Sequence, residues 1–346
     1  MANISAAKFL RTGAMMLLLI ASSLYPSALR AGEDILLLRQ SEAVPVSPLL
    51  AHWTEGRFFN GFLTRGGSFY KETHNDSAAD FHEDRTVAGI GYDRAVSPSV
   101  GLALGLQYLN AQSAYTSVHQ GVTGDSERAL TASSATADTT FKIMDTVVFG
   151  LRLGYQLNRL AFDGGDEDAI STWTLGPGVS WKGPGFELSV FHHSKILRQK
   201  DDDGKTVQRR YGESTLMLTG RDGPRFNWSV WYQKNPLPSC CAFTDRGRNA
   251  WGGMLFLRAA GWTLAPGYRH LTEFQEQRSP GSIEDVARHH VWVSAATATT
   301  AGQPALSAGY EFAASPDGPS SFQNTEGPSR IKAGRWVLSG SLGIPL

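Results

Sequence analysis

Between Val147 and Leu157 the chain reads Val-Val-Phe-Gly-Leu-Arg-Leu-Gly-Tyr-Gln-Leu, which separates into two interleaved series. The odd positions hold Val147, Phe149, Leu151, Leu153, Tyr155 and Leu157; the even ones hold Val148, Gly150, Arg152, Gly154 and Gln156. An extended strand sends alternate side chains to opposite faces, so this segment has one continuous apolar face and one small or polar face. The pattern recurs. Val100, Leu102, Leu104, Leu106 and Tyr108 alternate with Gly101, Ala103, Gly105 and Gln107. Trp173, Leu175, Val179 and Trp181 alternate with Thr172, Thr174, Gly176, Gly178 and Ser180.

A leader precedes these strands. Lys8 and Arg11 give a basic start, Ala14–Ala21 an apolar run, and Pro26, Ser27, Ala28 and Ala31 a small-residue cleavage region. A membrane anchor needs roughly 20 consecutive apolar residues, and this run is far shorter. Residues 1–31 therefore read as a removed signal peptide, 32–55 as a periplasmic lead-in and 56–346 as one domain. Without the leader, 29 basic residues face 32 acidic ones, a net charge of −3. That balance offers no attraction to nucleic acid. Cys240 and Cys241 are the only cysteines, so no disulfide framework holds the fold.

Strand candidates alternate with short and long connections. Arg57–Tyr70 and Thr86–Arg94 come first, then the turn Val96–Ser99 into Val100–Tyr115, and Arg128–Thr139, whose alternation is the weakest. Ser171–Trp181 leads through Lys182–Gly185 into Phe186–Lys195. Later turns fall at Arg221–Pro224, Ala260–Gly261 and Thr300–Gln303, each rich in tight-turn residues. Longer polar stretches at Lys71–Asp84, His119–Ser126, Asn158–Asp168, Asp201–Lys205, Lys234–Arg248, Arg278–Asp285 and Ala314–Ser329 read as loops. The expected fold is an all-β, closed antiparallel transmembrane barrel of about 14 strands, with 12 to 16 admissible, short periplasmic turns and longer extracellular loops.

Aromatic placement fits that fold. Trp173 and Trp181 are eight residues apart on one face. At about 3.3 Å per residue and a tilt near 40°, that is ~20 Å of height, close to the ~25 Å apolar band of such barrels. Tyr92, Tyr108, Tyr155, Trp228, Tyr232, Trp251, Trp262, Tyr268, Tyr310 and Trp336 also fall near strand ends, as interfacial girdles require. The chain then finishes on Trp336, Leu338, Gly340, Leu342, Ile344 and Leu346 as one face. This resembles the terminal strand of porin-like Gram-negative outer-membrane barrels, although those usually end on an aromatic residue where this chain has Leu346. The resemblance implies the outer membrane as location. It implies outer-membrane lipid, lipopolysaccharide and the barrel assembly machinery as partners.

With Leu, Val and Trp toward lipid, the interior receives Asp93, Arg152, Glu187, Lys195, Glu213, Arg269, Glu311 and Arg335. A basic residue at the bilayer midplane costs roughly 2–4 kcal/mol, so these charges belong inside. They would line a passive channel or export conduit for a small polar or saccharide-like solute. They would equally brace a closed structural or adhesive barrel. A third reading is enzymatic. His192 and Ser194 share a face, and His-x-Ser resembles outer-membrane phospholipase A and lipid A deacylase. That resemblance implies a lipid esterase, but Lys195 stands where those families have asparagine, and strand parity turns Glu213 away from the pair.

The remaining candidates carry little chemistry. Cys240–Cys241 fits either a vicinal disulfide or two free thiols. The pairs His192–His193 and His289–His290 offer one imidazole per face, too few for a metal. The acidic groups Glu72, Asp76, Asp80, Glu83, Asp84; Asp166, Glu167, Asp168; and Asp201, Asp202, Asp203 lack calcium-loop spacing. No cofactor is expected, and no phosphate-cradling loop is present.

Overall fold

The computed structural model describes residues 47, 49, 57–74, 77–119, 121–162, 167–200, 204–221, 225–236, 243–277, 283–297, 302–313, 317–318 and 329–345. The strands are β1 (Arg57–His74), β2 (Ser77–Ser97), β3 (Val100–His119), β4 (Val122–Met144) and β5 (Val147–Phe162). They continue as β6 (Glu167–Gly183), β7 (Phe186–Lys200), β8 (Thr206–Arg221), β9 (Phe226–Pro236) and β10 (Phe243–Ala259). Then come β11 (Trp262–Gln277), β12 (Ile283–Thr297), β13 (Gln303–Ala313), the two-residue β14 (Asp317–Gly318) and β15 (Ser329–Pro345). Every long strand pairs antiparallel with its sequence neighbour, β13 pairs with β15, and β15 returns to β1. Fourteen long strands thus close a barrel as the sequence leads one to expect, with β14 lying beside the upper end of β15.

The faces follow the parity of the sequence. Leu104, Leu106, Leu153, Trp173, Leu175, Val179, Trp181, Leu338 and Leu342 are exposed, while their alternate neighbours Ala103, Val148, Ser180 and Ser339 are buried. A contiguous apolar belt around a closed sheet has no protein partner to cover it. Hydrocarbon is the solvent such a belt matches. Tyr108, Tyr155, Trp173, Tyr232, Trp251 and Tyr310 are exposed on this outer face toward the loop side. Trp181 is exposed near the turn rim, which places an aromatic border at each end of the belt.

One expectation needs correction. The polar stretches Lys71–Asp84 and His119–Ser126 are not loops. β1 and β2 keep pairing from Arg57↔Arg94 up to His74↔Ser77, and β3 and β4 pair up to His119↔Val122. Asn158–Phe162 likewise continues β5. Polarity marks where the bilayer ends, not where the ladder ends. Once two strands are aligned, backbone hydrogen bonding extends the hairpin into water at little cost. β4, with 23 residues, spans on the order of 55–60 Å at ~3.3 Å per residue and ~40° tilt, about twice the apolar band.

At the opposite rim the turns are tight. Ala260 and Gly261 both have positive φ, 52° and 81°, the geometry of a two-residue hairpin matched to strand twist. Pro184–Gly185, with Gly185 at φ 77°, closes β6 onto β7. Bonds from Lys142 N to Ser99 O and from Lys182 N to Thr146 O, each 2.7 Å, stitch neighbouring turns together. The predicted signal peptide lies outside the described residues. So does the lead-in, apart from Ser47 and Leu49.

Candidate functional site

The inner wall carries buried polar groups throughout and a packed apolar cluster on one side. Strands β1–β7 present Asn60, Thr64, Asp93, Asp138, Thr140, Thr172, Ser180, Glu187 and Ser189, all buried. Asn60 Nδ2 donates to Asp93 at 3.2 Å, and the Thr64 and Ser339 hydroxyls meet at 2.9 Å. Strands β8–β13 add to buried polar groups such as Thr215, Ser229 and Ser294 a packed apolar cluster of Met217, Trp231, Met254, Phe256, Ala265, Trp292, Ala296 and Ala305. The Trp231 and Trp292 rings lie 6.1 Å apart. Each is flattened against the wall over a glycine. A Cβ at Gly252 would sit 2.6 Å from the Trp231 ring, and one at Gly267 only 2.2 Å from the Trp292 ring. Glycine here makes room for an indole.

Charged groups inside the barrel occur in balanced clusters. Arg152 donates to Asp138 through Nε at 2.7 Å and Nη2 at 2.5 Å, a bidentate pair in which Asp138 is buried and Arg152 half-buried. Glu213 accepts from Lys195 at 3.2 Å and lies 3.6 Å from His193. Glu311 accepts from Arg269 at 2.8 Å, with His290 at 3.6 Å and Arg288 at 3.7 Å. All eight interior charges expected from the sequence lie on the inner face, and the structure joins Lys195 to Glu213 and Arg269 to Glu311. Asp93 and Glu187 are fully buried lower in the wall, and Arg335 lies near the loop-side rim.

The sequence reading missed Asp138, His193, Arg288 and His290, and it missed the inward aromatics. The signal for the latter was present. Trp231 sits between Val230 and Tyr232, and Trp292 between Val291 and Val293. Both indoles therefore fall on the opposite parity to their apolar neighbours, whose face is the outer one.

A ring of inward residues near the turn side has essentially no solvent contact. Thr140, Val148, Thr263, Ala265 and Ala296 are each 0% exposed. Fourteen strands spaced ~4.8 Å apart at ~40° tilt enclose a backbone radius of about 14 Å, too wide for alanines to shield one another across the bore. Ser47 and Leu49, the described residues upstream of β1, are themselves 3% and 1% exposed.

The enzymatic candidate resolves differently. His192 is on the outer face, but its Nδ1 lies 2.8 Å from Ser214 Oγ on β8, not at Ser194. Its ring covers Gly212, the residue opposite Ser194. Glu213 points inward to His193 and Lys195, as its parity requires. Among the described residues no carboxylate orients His192. Cys240 and Cys241 lie outside the described residues. No cluster of three or more metal-ligating side chains occurs among the described residues.

No protein-family model matches the chain, and no curated protein does. Solved structures do. The Pseudomonas putida toluene transporter TodX superposes with a TM-score of 0.62 at 10% identity, covering 87% of this chain and 92% of that one. A Pseudomonas aeruginosa FadL homologue gives 0.60 at 11% identity, covering 93% and 99%. The CymD monoaromatic hydrocarbon channel gives 0.55 at 8%, covering 87% and 91%. What the chain shares with them is the fold. At such identities the chemistry of the interior has to be argued from this chain's own residues.

Proposed function

We propose that the protein is an outer-membrane channel admitting a small, largely apolar molecule by passive diffusion. The observation that carries this reading is the apolar cluster built into the inner wall of β8–β13. Trp231 and Trp292, set over glycines on the inner side, give that face of the wall an apolar surface suited to an apolar molecule. The expectation of a polar or saccharide-like solute rested on the charges alone. Those charges are largely consumed in mutual pairs, Arg152 with Asp138, Lys195 with Glu213, and Arg269 with Glu311. Paired with one another, they brace the wall. The structural neighbours include proteins described as a toluene transporter and a monoaromatic hydrocarbon channel, which agrees with an apolar cargo.

The covered ring near the turns makes the resting state closed. Passage then requires that ring to be uncovered, and the lead-in that includes the buried Ser47 and Leu49 is the segment to test. The deciding experiment compares accumulation of radiolabelled toluene and glucose by cells expressing the protein or an empty vector. Faster toluene uptake with unchanged glucose uptake supports the reading. Glucose uptake alone returns it to a polar channel, and no effect on either leaves a closed structural barrel.

A further inference from the structure

Along one strand, neighbouring histidines such as His289 and His290 give each face a single imidazole. The structure supplies a second one to the outer face from the adjoining strand. His270 on β11 is the direct cross-strand partner of His289 on β12, and their ring centroids lie 5.0 Å apart. His270 shares the parity of the exposed Leu264, and His289 that of the exposed Val291 and Val293, so both point outward. Both are half-buried. Their row continues through Trp251 on β10 and Phe312 on β13. The Trp251 ring lies 5.4 Å from that of His270, and Phe312 stacks on His289 at 5.4 Å. This is the aromatic border at the loop end of the belt, a zone that is partly wet and open to ions from outside the cell.

Each ring has one nitrogen tied to a hydroxyl. His270 Nε2 lies 3.1 Å from Thr272 Oγ1, and His289 Nδ1 lies 2.6 Å from the Tyr268 hydroxyl oxygen. When those nitrogens are protonated and donate, the lone pairs of His270 Nδ1 and His289 Nε2 remain for a metal. Fixing a histidine's tautomer and orientation through its other nitrogen is how protein metal sites prepare their ligands. His270 Nδ1 is sheltered and has no hydrogen-bond partner among the described residues, a cost that coordination would remove. The spacing also fits. A metal–nitrogen bond of about 2.05 Å and a ring radius of about 1.1 Å put each centroid about 3.2 Å from the ion, so bond angles of about 90–109° separate two centroids by about 4.5–5.2 Å. The observed 5.0 Å lies within that window. We propose that His270 Nδ1 and His289 Nε2 together bind one divalent transition-metal ion at the outer rim of the membrane. Imidazole suits copper, zinc and nickel, with copper(II) held most tightly, and water fills the remaining positions. The site is on the outer face and does not depend on solute passage, so failure of the transport reading would leave it standing.

The test uses the full chain purified without an affinity tag in a non-ionic maltoside detergent. Copper(II) is titrated in, its affinity is measured, and pulsed electron paramagnetic resonance counts the imidazoles coupled to the bound ion. Wild-type protein is expected to hold copper(II) through two imidazoles. Tyr268→Phe removes an orienting partner and should weaken binding about tenfold with both imidazoles retained, while His270→Gln and His289→Gln should each weaken it at least as much and leave one imidazole. His192→Gln, the outward histidine on β7, should change neither readout. A single imidazole in wild type overturns the proposal, as does an affinity unaltered in both histidine variants. A two-imidazole signal that disappears in His192→Gln puts the ion elsewhere and overturns it as well. Heat-modifiable gel mobility reports folding. If the His270 and His289 variants fail to fold, the wild-type imidazole count and the His192→Gln control decide.

Discussion

Leu106 and Gln107 are adjacent on β3 and point to opposite sides of the barrel, which makes them a direct probe of what each face touches. Leu106 is 56% exposed and stands between Leu104 and Tyr108 within the apolar belt. About half of a leucine surface is on the order of 100 Å², worth about 2.5 kcal/mol against hydrocarbon at ~25 cal/mol/Å². Replacing it by arginine forfeits that contact and adds roughly 2–4 kcal/mol for a guanidinium in the belt. Leu106→Arg should therefore destabilise the folded barrel by about 4.5–6.5 kcal/mol. Gln107→Arg, exposed on the inner face, should cost about 0.5 kcal/mol, the usual effect of a solvated substitution. The assay is reversible guanidinium unfolding from phosphatidylcholine vesicles, followed by tryptophan fluorescence. Equal effects of the two variants would refute the reasoning, because the faces would then not differ in solvent.

Four further outcomes follow from the interior, the rim and the outer face. Arg152→Ala leaves the Asp138 carboxylate, 8% exposed, without its bidentate partner and should cost about 3–5 kcal/mol; the double variant with Asp138→Ala should recover most of that loss in the same unfolding assay. Deleting residues 32–55 after the signal peptide should raise single-channel conductance in planar bilayers, and an unchanged trace would show that another segment covers Ala265 and Ala296. Trp231→Ala/Trp292→Ala should slow toluene uptake at least severalfold while leaving conductance to small ions intact or larger. Ser194→Ala should leave phospholipid hydrolysis unchanged, because His192 bonds Ser214 instead; a loss of lipase activity specific to that variant would restore the esterase reading.

Particular elements show how far the sequence could be read. The strand Val147–Leu157 announced its faces completely, since parity in a strand is local and exact to one residue. Arg128–Thr139 was nearly illegible for an equally physical reason. The outer face of β4 carries Thr131, Ser133, Ala135, Ala137 and Thr139, small residues flanked by Leu104, Leu106 and Tyr108 on β3 and by Leu153 and Tyr155 on β5. Its neighbours cover the belt, so its own alternation is faint. The long polar hairpins were misread because strand and loop share a composition once the chain leaves the bilayer.

Alternation by itself determined that the chain closes into a barrel, which residues face outward, and where the charges must go. Only the tertiary structure decided which charges meet across the wall, that Trp231 and Trp292 line one side of the bore, and that the interior is covered near the turns. Side-chain direction depends on each residue's place in its own strand. Pairing and filling depend on register between strands, which no local pattern encodes.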